Sequence, residues 1–329
     1  MSLAEVEFRL FEPGDERAVN DTFNEVFSLS RSLAEWSWKF PPRPEGRPIM
    51  LAFAGDELLA QYAGTPVVFQ INDAEWPAAQ IVDVFAARRG GRPFTRRSVW
   101  SRTAERFFAE LGESGRYPLL FGFPGRRALR LGVLQLGYGA MPPQEIVYLR
   151  RGDRAREARL RRLGYRAEPA RDWEPRLDEL WQRVRADYPV AVVRDAERSL
   201  YRLAGHPSVR YHRFLILPRL STRPVGFVAF RTDGGVCRWV ELVWDHGNPG
   251  ALVLAAALGR RLAARFDAAH EELWLNGDPA GEEVLAGLGF ERLPQPDGLV
   301  LVARSFDDAL NVRRLDGRVY LTMADADLV

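Results

Sequence analysis

The chain has 329 residues, of which 47% are apolar and 27% charged, with a net charge of +2. This length and composition are typical of a folded protein with room for two domains, and they exclude a disordered chain, a collagen-like repeat and a disulfide scaffold. Because the positive and negative charges are nearly balanced, the protein has no overall electrostatic attraction for nucleic acid, and a nucleic-acid partner is not expected.

Signals for disulfides, metals and membranes are also missing from the sequence. The single cysteine, Cys237, cannot form an internal disulfide, and no Cys/His cluster has the spacing of metal ligands. No apolar run reaches the roughly 18 residues of a membrane span, and the first residues do not resemble a secretory signal. We therefore expect a cytoplasmic protein without a metal or a membrane partner, whose oligomeric state the sequence leaves open. All basic residues except Lys39 are arginines, a bias typical of a GC-rich bacterial genome.

The first half is predicted to run strand, two helices, three strands, long helix, strand, helix and strand. The predicted strands are 6–11, 49–54, 58–70, 77–87, 118–123 and 145–149, and the helices are 14–27, 30–40, 92–111 and 125–134. The arginine-rich stretch 150–162 that follows is interpreted as a linker. Its Asp153 and Glu157 are spaced to pair with its arginines, and it lacks the interleaved aromatic residues of a nucleic-acid site.

The second half repeats this order. Its predicted helices are 173–188, 194–203, 252–270 and 279–288, and its strands are 211–217, 224–232, 236–244, 273–276, 289–292 and 299–304. Matched phrases support an internal duplication. Val82-Asp83-Val84 corresponds to Val240-Glu241-Leu242 at an interval of 158 residues, and Leu136-Gly137-Tyr138 corresponds to Leu288-Gly289-Phe290 at 152. We predict two α/β units, 1–150 and 151–329, each a mixed, mostly antiparallel sheet flanked by helices.

This element order resembles the acyltransferase fold of the GNAT family. Within that family, the phrases Trp36-Ser37-Trp38-Lys39-Phe40, Phe121-Gly122-Phe123-Pro124 and the C-terminal 321–327 are similar to bacterial N-acetyltransferases built from tandem GNAT units. The resemblance spans essentially the whole chain. It implies that the protein transfers an acetyl group from acetyl-CoA to a primary amine of a small molecule.

The resemblance places the acetyl-CoA site in the first unit, between the strand 77–87 and the long helix. In the family, backbone N–H groups of a glycine-rich loop at a helix N-terminus hold the pyrophosphate. The predicted cofactor-binding residues are Val84, Phe85, Ala86, Arg88, Arg89, Gly90, Gly91, Arg92, Phe94 and Thr95. Arg92 departs from the family pattern, which has a glycine there. Its side chain either blocks the phosphates or replaces the backbone donors with a charge-assisted bidentate hydrogen bond.

The corresponding loop of the second unit, Asp245-His246-Gly247-Asn248-Pro249-Gly250, lacks basic residues. An acidic side chain at this position is unfavourable for a pyrophosphate. The second unit is therefore predicted to be non-catalytic, shaping the substrate cleft or supporting the first unit.

Two residues are candidates for proton transfer in the first unit. Asp83 is a carboxylate inside an apolar strand, and it is predicted either to act as the general base or to be a structural aspartate bonded to backbone or to an arginine. Tyr138 is a candidate proton donor to the leaving thiolate, although ordinary core packing is the favoured interpretation. All four histidines lie in the second unit, so a catalytic histidine in the first unit is excluded.

Three further residues are predicted to contact the substrate. Trp36 lies two residues from Trp38 on one helix, so one of the two can be buried while the other faces a ligand. Tyr62 is on a strand next to that of Asp83, and Glu241 is the counterpart of Asp83 in the repeat. Packing or surface exposure is the alternative for each of them.

Two other functions remain open at this point. The altered loops also fit an inactive GNAT-like binding or scaffold protein. An aminoacyl-tRNA-dependent transferase would have a similar pair of units, but it needs a continuous basic surface, which the net charge of +2 disfavours.

Overall fold

The computed structural model describes residues 6–87, 98–138, 144–152, 164–315 and 317–327. The chain divides into two compact units. Unit 1 comprises Met1–Phe69, Glu75–Gln144 and Leu299–Asp316, and unit 2 comprises Gln70–Ala74, Glu145–Gly298 and Gly317–Val329.

The predicted elements occur in the predicted order, and the strands Tyr165–Pro169, Val190–Val192 and Val319–Tyr320 were not predicted. The strands are β1 (Glu7–Leu10), β2 (Ile49–Ala54), β3 (Glu57–Ile71), β4 (Ala74–Ala86), β5 (Leu119–Gly122), β6 (Gln144–Glu145), β7 (Tyr148–Gly152), β8 (Tyr165–Pro169), β9 (Val190–Val192), β10 (His212–Pro218), β11 (Gly226–Asp233), β12 (Val236–Trp244), β13 (His270–Trp274), β14 (Glu291–Leu293), β15 (Val300–Ser305) and β16 (Val319–Tyr320). The α-helices are α1 (Glu16–Phe27), α2 (Leu33–Lys39), α3 (Val99–Phe107), α4 (Arg126–Gln135), α5 (Arg176–Val184), α6 (Ala196–Ser199), α7 (Pro249–Arg265) and α8 (Pro279–Ala286). Short π turns extend α3 and α6, at Phe108–Gly112 and Leu200–Ala204.

Each unit is built on one mixed sheet. In unit 1 the strand order is β1-β2-β3-β4-β5-β15-β6, and in unit 2 it is β14-β7-β13-β12-β11-β10-β8. The pairs β1–β2, β2–β3 and β5–β15 are antiparallel, whereas β4–β5 is parallel. Unit 2 repeats this pattern, with a parallel pair at β12–β13. The predicted fold class is therefore confirmed.

The boundary between the units is not a single division at residue 150, because each unit contains a strand that was predicted to belong to the other. β7 belongs to unit 2, where it pairs with β13 and β14, and β15 belongs to unit 1, where it pairs with β5. Apolar residues at the centre of each exchanged strand, such as Leu149 and Val302, are buried. A strand is recognised from its own pattern, but its partner is set by contacts distant in sequence, so the exchange was not predicted.

The predicted linker begins with part of a strand. Arg150 and Arg151 lie in β7, and buried Arg151 donates to Glu271 Oε1 with an Nη2–Oε1 distance of 2.6 Å. The interpretation of this part as a solvated linker is therefore wrong, while residues 153–163 lie outside the described part of the chain.

The sheet of unit 1 buries a different apolar cluster on each face. Along β2, Ile49 and Leu51 pack with Trp36 on one face, while Met50 packs with Phe107 of α3 on the other. This alternation follows from the two-residue period of a strand. Within the described residues, no helix combines the length and the hydrophobicity needed to span a bilayer.

Candidate active site

The site begins with an irregularity in β4. Asp83 has φ +50°, in the left-handed region that L-residues rarely adopt, although aspartate tolerates it better than most. Val82 and Phe85 pack in one apolar cluster, while Ile81 and Val84 pack against the other. In a regular strand Val82 and Val84 would share a face. Asp83 is therefore the extra residue of a β-bulge, which directs its side chain toward α2.

The bulge is held by charged and polar partners. The Asp83 side chain is only 2% exposed, and its Oδ1 accepts a hydrogen bond from Lys39 Nζ at 2.5 Å. Its Oδ2 accepts from Arg31 Nη1, and its backbone carbonyl accepts from Gln61 Nε2 at 2.9 Å. These contacts match the structural interpretation of Asp83, an acid bonded to an arginine. Its role as a general base stays a prediction.

The β4–β5 junction opens beside this bulge. The two parallel strands pair from Ala78–Leu119 to Gln80–Phe121, and then β5 ends at Gly122 while β4 continues to Ala86. The backbone of Val84 to Ala86 thus lies beyond the last β5 pairing. Phe85 turns its ring into the core, where it packs against Phe23. What this strand end offers a ligand is therefore mainly backbone.

The remaining predicted cofactor residues, Arg88, Arg89, Gly90, Gly91, Arg92, Phe94 and Thr95, lie outside the described residues. The described chain resumes at Ser98, which caps α3 by accepting a hydrogen bond from Ser101 N at 3.1 Å. The described strand end and the described helix thus flank the predicted loop on both sides.

The structure brings Tyr62 and Tyr138 together. Their hydroxyl groups are hydrogen-bonded to each other, and both side chains are buried beside Phe108. Burial raises the pKa of Tyr138 well above its ordinary value, and nearby Arg304 opposes this rise only in part. The hydroxyl therefore keeps its proton at neutral pH. The Tyr138 ring also fills the space beside Gly132 of α4, as expected for a core aromatic.

Of the two tryptophans on α2, the structure buries Trp36. It is fully buried between Phe11 and Phe40, with ring centroids 5.5 and 5.7 Å away. This position argues against the predicted substrate contact of Trp36, because both neighbours are core residues. Trp38 is half-buried and is the member of the pair nearer to solvent.

Glu241 in unit 2 is also buried in an ionic cluster. Arg194 donates to it with an Nε–Oε1 distance of 3.3 Å, and Thr322 Oγ1 donates to the same oxygen at 2.9 Å. Arg194 Nη2 also reaches Asp325 Oδ2 at 2.5 Å, and Arg198 Nη2 reaches Asp325 Oδ1 at 2.8 Å. The space left beside the cluster is about 10 Å³. That is room for a single water, so the predicted substrate contact of Glu241 is not supported.

Protein groups also cover the start of α7, the counterpart of the cofactor loop. The Tyr165 ring occupies the position that a Cβ on Gly250 would take, and Tyr165 Oη donates to Asn248 Oδ1 at 3.1 Å. The carboxylate of Asp245 accepts from Gly247 N at 2.9 Å and brings a negative charge to the same loop. Both features oppose a pyrophosphate here, in line with the predicted non-catalytic role of unit 2.

Sequence reasoning missed the two cations that hold Asp83, although the repeat contains a signal for them. Arg31 directly precedes Ser32, the N-cap of α2, just as Arg194 directly precedes Asp195, the N-cap of α6. Lys39 and Arg202 each follow their cap by seven residues. Extending the repeat comparison to the helices would have paired Arg31 with Arg194, which contacts the acid of its own strand. Lys39 differs from its counterpart, because Arg202 Nε donates to the backbone carbonyl of Ala324.

No group of three or more potential metal ligands occurs among the residues that the structure describes. Residues 7–139, which run from β1 to just after α4, match the family model of the acetyltransferase (GNAT) domain. A comparison with curated protein sequences finds no significant match.

Solved structures share the fold at low sequence identity. A GCN5-related N-acetyltransferase from Anabaena variabilis is 12% identical with a TM-score of 0.67, over 95% of this chain and 75% of that one. Eis1 from Mycobacterium abscessus is 14% identical with a TM-score of 0.60, over 96% and 76%. N-myristoyltransferase from Saccharomyces cerevisiae with bound myristoyl-CoA is 12% identical with a TM-score of 0.58, over 93% and 81%. At these identities the likeness establishes the fold.

Proposed function

Because residues 7–139 match the acetyltransferase (GNAT) domain model, we propose that the protein transfers an acetyl group from acetyl-CoA to a primary amine of a small metabolite. The observation that carries the proposal is the opening between β4 and β5 in this unit, where β4 runs on past its last pairing with β5. A ligand that pairs with strand backbone fits such an opening. We expect the reaction to take place in the cytoplasm.

The residues around this opening fit an acyl-CoA. When bound, acetyl-CoA supplies the acyl group as a thioester. Of the strand end Val84, Phe85 and Ala86, the backbone N–H groups on the open edge would donate to its carbonyl oxygen, and preorganised donors of this kind are among the strongest contributors to acyl transfer. The loop between β4 and α3 would bind the pyrophosphate through backbone N–H groups and the guanidinium of Arg92.

Two groups of unit 1 are candidates for proton transfer. The amine must lose a proton before it attacks, and the leaving thiolate must gain one. Asp83 is the candidate base, because it directly precedes the backbone donors in β4. Tyr138 holds its proton at neutral pH, as a donor must. Its burial beside Phe108 keeps core packing as the favoured interpretation.

An inactive binding or scaffold protein of the same fold is the second candidate. Unit 2 supports this candidate, because it has the same fold although Tyr165 and Asp245 occupy the start of its long helix. In unit 1, the replacement of a family glycine by Arg92 points the same way. A transferase that uses aminoacyl-tRNA ranks third, because the near-neutral charge offers no general attraction for RNA.

Calorimetric titration of the purified protein with acetyl-CoA and with CoA separates the first two candidates. We expect micromolar binding that Arg92→Glu weakens at least tenfold, because the substitution places a negative charge beside the pyrophosphate, and a tenfold change corresponds to about 1.4 kcal/mol. An exposed arginine elsewhere in unit 1, changed in Arg17→Gln, is the matched control and should bind as the wild type does. Absence of binding up to millimolar concentrations would overturn the enzymatic proposal and favour the scaffold.

A further inference from the structure

We propose that the acceptor amine carries a carboxylate group, which Arg31 binds beside the β4 bulge. This inference rests on the proposed function and deepens it by naming the chemical class of the acceptor. It comes from comparing Arg31 with the corresponding arginine of unit 2, Arg194. Each pairs with an acid on the equivalent strand, but Arg194 also binds a second carboxylate.

The two arginines are equivalent by position and by partner. Arg31 and Arg194 each directly precede the N-cap of the second helix of their unit. Each pairs with an acid on the strand that leads to the long helix, Asp83 on β4 and Glu241 on β12. The comparison therefore concerns corresponding groups and not a chance likeness of two surface arginines.

In unit 2 the arginine binds a second carboxylate. Arg194 Nη2 donates to Asp325 at 2.5 Å, and the Asp325 side chain is fully buried. Arg198 adds a further hydrogen bond to Asp325, and Arg202 Nε donates to the backbone carbonyl of Ala324 at 3.0 Å. This carboxylate is supplied by the C-terminal segment of the chain itself. Unit 2 thus shows which ligand chemistry the arginine accommodates on its second nitrogen.

In the described part of unit 1 the corresponding nitrogen has no acceptor. Arg31 Nε donates to Asn20 Oδ1 at 2.9 Å, Arg31 Nη1 donates to Asp83, and the guanidinium lies over the Phe23 ring at 3.7 Å. These contacts fix the plane of the guanidinium. Among the described residues, Arg31 Nη2 is buried without a hydrogen-bond partner. A buried donor of a charged group without an acceptor is costly, so this site favours a ligand that brings an anionic oxygen.

The charges that contact Asp83 favour an anionic ligand beside it. Arg31 and Lys39 are two cations in contact with the one carboxylate of Asp83. In unit 2 the corresponding arginine, Arg194, contacts a second carboxylate, that of Asp325.

The position also fits an acceptor. Arg31 contacts Asp83, which directly precedes the backbone donors assigned to the thioester carbonyl. An amine whose carboxylate meets Arg31 Nη2 would therefore have its nitrogen close to the strand end where the acetyl group is expected. Amino acids and related amino carboxylic acids are the simplest compounds of this class.

The test compares matched acceptors on the full-length protein. Acetyl transfer from acetyl-CoA is measured for a panel of amino acids and for the corresponding carboxamides, which keep the amine and the shape but lack the charge. We expect kcat/KM to be at least about tenfold higher for the acids, the discrimination typical of one charge-assisted hydrogen bond to a buried donor. Raising the salt concentration should reduce this preference only weakly, because a buried pair is poorly screened.

Two variants locate the preference. Arg31→Lys keeps a positive charge for Asp83 but lacks the second nitrogen, Nη2, so the acid-to-amide ratio should fall close to one. Arg17→Gln changes an exposed arginine on α1 and should keep the wild-type ratio. The ratio is the readout because a general loss of folded protein affects both acceptors equally.

The outcomes separate this inference from the proposed function. Equal kcat/KM for acids and amides in the wild type would overturn the inference and leave the acetyltransferase standing. An acid preference that survives in Arg31→Lys would also overturn the assignment to Arg31. Acetyl transfer to no amine, together with no acetyl-CoA binding, would overturn the proposed function and the inference with it.

Discussion

The two units contain the same pair of buried groups, an acid on the strand before the long helix and an arginine ahead of the second short helix. Within the described residues, unit 2 alone places a second carboxylate of its own chain on this arginine. Asp325 and Thr322 of the C-terminal segment close the cluster around Glu241, and Tyr165 covers the start of α7. In unit 1 the equivalent acid is met by two cations, Arg31 and Lys39.

This difference separates the role of the fold from the role of the site. The acid–arginine pair occurs in both units, including the one whose loop is unsuited to a pyrophosphate, so the pair serves the packing of the second helix against the sheet. The strand end is open in both units, because β12 also runs on past its last pairing with β13, as β4 does past β5. Chemistry specific to unit 1 must then come from what unit 2 lacks, which is the arginine-rich loop.

The largest loss of stability is expected for a substitution in unit 2. Asp325→Ala should destabilise the protein by about 3–5 kcal/mol, because it leaves Arg194 and Arg198 buried without their shared carboxylate. Chemical denaturation monitored by tryptophan fluorescence measures the loss. Asp187→Ala, at an exposed position of the same unit, is the control and should change stability by less than about 0.5 kcal/mol. A loss below about 1 kcal/mol for Asp325→Ala would show that the C-terminal segment does not close this cluster.

A smaller effect is expected for the corresponding acid of unit 1. Asp83→Asn keeps the shape and a residue that tolerates a positive φ, but it removes the charge facing Arg31 and Lys39, so we expect a loss of about 2 kcal/mol in stability. If the ion pair is the main role, kcat of the folded variant falls less than about tenfold. A fall of about 10²–10⁴ with stability preserved would instead establish Asp83 as the general base.

The smallest effect is the pH dependence of the unit 2 cluster. Burial raises the pKa of Glu241 above its ordinary value of 4.5, although Arg194 lowers it. A carboxyl group with a raised folded-state pKa contributes stability that is fully present below its unfolded pKa and is lost as the pH rises through the folded pKa. Relative to Glu241→Gln, the wild type should therefore be favoured more at pH 4 than at pH 7. Unfolding free energies of both proteins across this range test the sign, and the opposite slope would show that the arginines outweigh burial.

The sequence predicted most elements of the fold because their signals are local. Alternating apolar residues indicated β2, β3 and β4, and the matched phrases around Asp83 and Glu241 indicated the duplication. The ends of helices were less well predicted. The second long helix was expected over 252–270, but α7 spans Pro249–Arg265, since Pro249 begins the helix and a short turn precedes β13.

The candidate site was predicted only in part. Asp83 was singled out as a carboxylate in an apolar strand, and its bond to an arginine was one of the two stated roles. Its actual partners, Arg31 and Lys39, were not identified, because they lie 52 and 44 residues away in sequence. The β-bulge that turns Asp83 toward them cannot be recognised from the pattern of apolar and polar residues.

The sequence by itself determined the element order, the two-unit architecture and the family resemblance of this protein, since periodicity and short phrases are properties of neighbouring residues. Only the tertiary structure decided that the units exchange β7 and β15, that Trp36 is a core residue, and that Asp325 meets Arg194 while Arg31 Nη2 has no acceptor among the described residues. These features depend on which distant segments pack together. Packing is a collective outcome of burying apolar surface and satisfying buried charges, which a local pattern does not encode.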